Sequence, residues 1–176
     1  TSLFRIWILL SFLCYFFGCK KKVNFTKSTD QLKIGFGSCL KQDKPMPIFK
    51  SIKKNDFDLF LMIGDNVYGD TQRNDLLELK AAYKKQRENF ESLDLNFPFE
   101  AIWDDHDYGL NDAGNEYPFK EQSKDLFLKF WNIAMDDPRR KREGLYHEKM
   151  IFVNDKALQL LFLDTRTFRD RLLKTD

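Results

Sequence analysis

The sequence predicts an α/β domain, and three observations carry that reading. Apolar runs of strand length alternate with longer segments of helical periodicity, the pattern that builds sheets with crossover helices. Some of the runs are apolar throughout, as in Leu59-Phe60-Leu61-Met62-Ile63, which suits strands covered on both faces. The runs also end in residues that carry ligand chemistry: Gly37-Ser38-Cys39, Gly64-Asp65-Asn66, Trp103-Asp104-Asp105-His106-Asp107 and Asp164-Thr165-Arg166.

Residues 33–37 open the domain as a buried strand. Pro45 and Pro47 punctuate the loop that follows. Pro47 suits the first turn of a helix that carries Ile48 and Ile52 four apart and stops at Asn55-Asp56. Residues 58–64 form the second strand. Residues 74–93 read as a long amphipathic helix with Leu76, Leu77, Leu79, Ala82, Tyr83, Phe90 and Leu93 as its apolar stripe. Asn96-Phe97-Pro98 breaks it, and residues 99–103 make the third strand. Residues 108–115 are a polar loop long enough to line a site. Residues 117–135 read as a helix with Phe127, Leu128 and Trp131 inward, stopped by Asp137-Pro138. Residues 144–153 and 157–163 pair as a hairpin through Asn154-Asp155, which makes the sheet mixed.

A chain of 176 residues allows one domain with a sizeable core. The formal net charge is only +2, and basic runs such as Lys20-Lys21-Lys22 are balanced by acids elsewhere, so no nucleic-acid partner is expected. Residues 1–19 read as a signal segment. Arg5 is a weak positive start, residues 6–17 are an apolar stretch too short for a comfortable membrane span, and Gly18-Cys19 resembles a lipoprotein junction with Cys19 as the lipidated residue. An uncleaved anchor or a plain secretory signal are the alternatives. Residues 20–32 are then a polar linker and residues 33–176 the domain. The expected location is outside the cytoplasm, in the cell envelope or periplasm, with a membrane anchor through lipid. The domain is expected to act as a monomer.

Of the three cysteines, Cys14 leaves with the signal and Cys19 carries lipid, so Cys39 is the one thiol of the mature domain. A lone cysteine is often a small apolar filler, but this one follows Gly37-Ser38 at a strand end. In α/β sheets, ligands bind beyond the carboxyl ends of the strands. Cys39, Asp65, Tyr68, the carboxylates around His106 and Arg166 therefore converge on one expected site. Oxygen donors with one thiolate and one imidazole suit hard or borderline metals. Asp104-Asp105-His106-Asp107 is too dense in ionisable groups to bury without cations. The plainer alternatives are turn chemistry for Asp65 and Asp70, a packing aromatic at Tyr68 and an ion pair between Asp164 and Arg166. His147, inside the hairpin, reads as a surface histidine.

The segments Gly37-Ser38-Cys39, Gly64-Asp65-Asn66-Val67-Tyr68-Gly69-Asp70, Trp103-Asp104-Asp105-His106-Asp107 and Leu163-Asp164-Thr165-Arg166-Thr167-Phe168-Arg169, in that order, resemble the PhoD-like metallophosphatases, a branch of the calcineurin-like phosphoesterases. The resemblance spans roughly residues 33–171. It implies a sandwich of two mixed β-sheets flanked by helices. It also implies metal ligation by Cys39, Asp65, Tyr68, by Asp104 or Asp105, and by Asn111 from the following loop. Asn111 otherwise reads as a turn residue. His106 would stand beside the scissile group and Arg166 would grip phosphate. The implied metals are iron and calcium, with zinc, manganese or magnesium as alternatives. The implied activity is hydrolysis of a phosphate ester, by an alkaline phosphatase or phosphodiesterase that uses a metal-activated water. The family has further histidine ligands toward its C-terminus, and only His147 follows His106 here. The expectation is therefore a domain incomplete at its C-terminus, with little activity of its own. A non-catalytic surface lipoprotein that retains a degenerate metal site is the competing expectation.

Overall fold

The computed structural model describes residues 23–24 and 31–173. The expected signal segment, with Cys14 and Cys19, and most of the expected linker lie outside the described residues. Strand β1 is Val23–Asn24. A parallel sheet follows, built from β2 (Ile34–Gly37), β3 (Leu59–Ile63) and β4 (Phe99–Ile102) in that spatial order. The register aligns Phe36 with Leu61 and Leu61 with Glu100. Helix α1 (Ile48–Ile52) joins β2 to β3, and α2 (Leu77–Leu93) joins β3 to β4. Crossovers of this kind return each strand to the same edge, so all three carboxyl ends lie side by side.

Helix α2 buries Leu79, Ala82, Tyr83 and Gln86, a stripe at the three- and four-residue spacing of one helix face. Beneath it, Phe57, Phe60, Phe90, Phe97 and Phe99 pack ring against ring. Phe90 lies 5.7 Å from Phe99 and nearly parallel, and Phe60 5.6 Å from Phe97. This cluster holds one face of the parallel sheet to its helix. Helix α3 is a single turn, Asp105–Tyr108, between the expected third strand and the loop that follows it. Tyr108 is fully buried and meets Trp103 edge-on at 4.9 Å. Helix α4, Lys120–Phe130, is shorter than expected at both ends. Its end has a local cause: Asn132 adopts a left-handed conformation, and Ile133 N–H reaches back to Leu128 O at 2.9 Å.

The second sheet has the order β1-β5-β6. The strands β5 (His147–Val153) and β6 (Lys156–Phe162) form the expected antiparallel hairpin, and β1 lies parallel to β5. The first sheet is therefore wholly parallel and only the second is mixed. The hairpin meets the parallel sheet through side chains and not through a ladder. Glu100 on β4 accepts from Lys149 at 2.7 Å and lies 3.1 Å from His147 Nε2. This also corrects the reading of His147 as a surface residue. Its side chain is only 10% exposed and stacks on Phe162 at 4.3 Å. A carboxylate in the facing sheet holds it inward. Among the described residues no helix is long and apolar enough to cross a membrane.

Candidate metal centre

The strand ends leave the sheet through strained turns. Gly64 has φ 109°, Asp65 φ 50° and Cys39 φ 57°. Left-handed non-glycine residues persist only where their surroundings hold them, at about 1–3 kcal/mol each. Here Cys39 N–H donates to Gly64 O at 3.3 Å and Leu40 N–H to Asp65 O at 2.8 Å, which joins the ends of β2 and β3. A Cβ on Gly64 would stand 2.6 Å from Asp104 Cβ, so the ends of β3 and β4 also meet closely.

These turns bring the expected ligands together. Cys39 is exposed, which removes the apolar-filler alternative, and its thiol donates to Asp65 Oδ2 across 3.6 Å. The Tyr68 hydroxyl donates to the same oxygen at 3.1 Å. The other oxygen, Asp65 Oδ1, is buried with no hydrogen-bond partner. Ligand atoms of Asp65, Asp105 and His106 all lie within 4.8 Å of one another. A cation with bonds of about 2.0–2.6 Å can therefore span them. Buried lone pairs without a donor and one thiol form a donor set that fits a cation better than it fits empty protein, and the His106 imidazole stands beside it.

The charges support this. Burial pushes the Asp65 carboxyl above its ordinary range, and the nearby Asp105 adds to the effect against the Tyr68 hydrogen bond. Burial acts on Asp105 in the same sense, but the Asp112 N–H and the charge of Arg166 hold it below the usual range. Burial and then Asp65 raise the Tyr68 phenol well above its ordinary value. Two carboxyls placed this close share a site where a positive ion would favour the ionised form of both.

The segment after β4 settles which neighbouring aspartate faces the cluster. Asp104 caps α3 from outside, and its Oδ1 is held tightly by Arg166 Nε. Asp105 turns inward, fixed by N–H donors of His106 at 3.0 Å and Asp112 at 2.7 Å. Arg166 Nη2 also approaches Asp105 Oδ2 at 3.9 Å. The alternative of an Asp164–Arg166 side-chain pair is thus replaced by a pair with Asp104. Asp164 instead gathers the backbone N–H groups of Leu145, Arg166 and Thr167 and the Thr167 hydroxyl, which organises the loop after β6. Asn111 is exposed and donates to Asp112 Oδ2 at 3.0 Å. Arg169 reaches Asp112 O.

Three residues around the site had no role assigned from the sequence. Asp70 binds His106 Nδ1 through both oxygens, at 2.7 and 2.9 Å, and leaves Nε2 as the second ring nitrogen. The His106 ring lies over Tyr68 at 4.2 Å. Asn66 and Asp107 are fully buried below. Asp70 carried a weak signal, as the last carboxylate of Gly64-Asp65-Asn66-Val67-Tyr68-Gly69-Asp70. Asn66 and Asp107 stood inside two of the motifs, but their pairing was hidden, because they lie 41 residues apart.

No family model matches the chain, and no curated protein matches it. Among solved structures the chain is similar to one titled "Structure of PhoD", with a TM-score of 0.62 at 18% identity over 80% of this chain. The chain spans 32% of that chain's length. At that identity the likeness shows the fold.

Proposed function

We propose that this chain is part of an exported, metal-dependent phosphoester hydrolase of PhoD-like fold. The observation that carries the reading is the convergence of Asp65, Asp105 and His106 within 4.8 Å, with the Cys39 thiol on Asp65, at adjacent ends of parallel strands. The likeness to a PhoD structure supports it at the level of fold. In this reading the two sheets belong to a sandwich of the calcineurin-like type. Cys39, Asp65, Tyr68 and Asp105 would hold the metals, iron and calcium or else zinc, manganese or magnesium. Bound there, such ions supply charge for a phosphate group and acidify a water.

The chain's own residues then do the rest. His106, its Nδ1 fixed on Asp70, presents Nε2 to the leaving oxygen and gives it a proton. Arg166 braces Asp104 and Asp105, so its guanidinium orders the carboxylates and shares what charge remains with the phosphate. Asn111 joins from the loop only if its side chain turns inward. The substrate is a phosphate ester, the working unit a monomer, and the membrane is reached through lipid on Cys19 in the cell envelope.

The test measures, in the complete protein of which this chain is part, bound metal and hydrolysis of an aryl phosphate monoester and diester by the wild type and by Asp65→Ala. Loss of both metal and turnover in the variant is expected. A wild type that hydrolyses neither ester yet holds its metal would favour the second reading, a non-catalytic surface lipoprotein. One observation favours that alternative: Arg166, the candidate for gripping phosphate, is engaged by Asp104.

A further inference from the structure

A buried polar chain runs beneath the three strand ends. Gln86, fully buried on α2, donates through Nε2 to Leu40 O at 3.0 Å and to Asn66 O at 2.7 Å. Asn66 donates its backbone N–H to Asp107 Oδ2 at 3.1 Å, and its Nδ2 donates to the same oxygen and to Ile102 O. Asp107 Oδ1 accepts from Asp104 N–H at 2.6 Å. Three of its members border candidate ligands in sequence: Leu40 follows Cys39, Asn66 follows Asp65, and Asp104 precedes Asp105.

Resting on the metal-centre reading above, we infer that Asp107 is the positioning residue of this centre, its buried carboxylate setting the separation of Asp65 and Asp105 from below. The geometry admits no easy substitute. Three N–H donors from two strand ends converge on this carboxyl, two on Oδ2 and one on Oδ1, so both of its oxygens accept. An asparagine there would turn an amide N–H against a backbone or side-chain N–H whichever way it is flipped. Such donor clashes in a dry interior are relieved by moving backbone, and the backbone in question carries the ligands. Groups that orient metal ligands from behind change metal affinity about 10–100-fold when altered.

The experiment titrates cobalt(II) into the full chain and follows its visible absorption, with melting in chelator measured in parallel. Four proteins are compared: wild type, Asp107→Asn, Gln86→Met and Phe49→Leu. Phe49→Leu alters the buried face of α1, outside the network. Asp107→Asn is expected to raise the cobalt Kd about 10–100-fold and to change the ligand-field bands. Gln86→Met, which removes the bonds to Leu40 and Asn66, should shift affinity in the same direction by less. Phe49→Leu should lower the melting temperature and leave affinity in place. If Asp107→Asn does not fold, Gln86→Met decides by the same criterion. Folded network variants with wild-type affinity, or with losses no larger than in Phe49→Leu, would overturn the positioning role while the metal centre stands. A wild type that takes up no cobalt would overturn the metal centre itself.

Discussion

Asp65 holds an uncommon state for a residue of the parallel sheet's edge. Its backbone is left-handed, one carboxylate oxygen takes two side-chain donors, and the other is buried without any. Gly64 makes this possible, because its positive φ and bare Cα let β3 leave the sheet against Asp104. Gly64→Ala is expected to destabilise the fold by about 1–3 kcal/mol, since φ 109° is strained for alanine and the new methyl meets Asp104. Urea unfolding in chelator checks this, and an unchanged midpoint would show that the turn relaxes freely. His106 is the other residue whose chemistry is fixed locally. With Nδ1 on Asp70, His106→Ala in the complete protein should keep nearly full metal and lose turnover by about 10²–10⁴-fold. Metal analysis beside steady-state rates separates the roles, and loss of metal would make His106 a ligand.

The elements differ in how far the sequence disclosed them. The strands β2, β3 and β4 were legible because apolar runs stop at glycine or at charged residues, and α2 because Leu79, Ala82, Tyr83 and Phe90 recur on one face. The hairpin was legible from Asn154-Asp155 between two runs. Helix α3 was not, since four residues hold too little periodicity to separate a turn of helix from extended chain. The end of α4 was hidden because Asn132 lies between apolar Trp131 and Ile133. Cys39, Asp65 and Asp105 were legible as ligand types at strand ends. The separation of the strands into two sheets came from the family resemblance and not from the residue pattern, because it depends on Glu100 meeting His147 and Lys149 across the fold. That junction gives a pH signature. Burial alone would raise the Glu100 carboxyl, but hydrogen bonds from His147 and Lys149 bring it down to about 2. A depressed carboxyl stabilises the fold above its unfolded pKa and loses that effect as pH falls through the folded value. Between about pH 4.5 and pH 2 the wild type should lose on the order of 3 kcal/mol at this group, and Glu100→Gln should lack that part of the slope. Denaturant unfolding across this range checks it, and parallel slopes in the two proteins would mean that the junction carries no such linkage.

At the scale of the molecule, two sheets and two crossovers serve one edge. The parallel sheet delivers Cys39, Asp65 and Asp105 side by side, and the hairpin sheet sends Arg166 over them from its own end. Nothing in composition foretold that the fourth motif would arrive from a separate sheet. The account stands on the claim that this edge holds a metal through Cys39 and Asp65. X-ray absorption at the zinc edge of the zinc-loaded chain tests that claim most directly. One sulfur neighbour at about 2.3 Å is expected among oxygen and nitrogen neighbours at about 2.0–2.2 Å, with the sulfur lost in Cys39→Ser. A shell of oxygen and nitrogen alone in the wild type, or a sulfur that survives in Cys39→Ser, would contradict it.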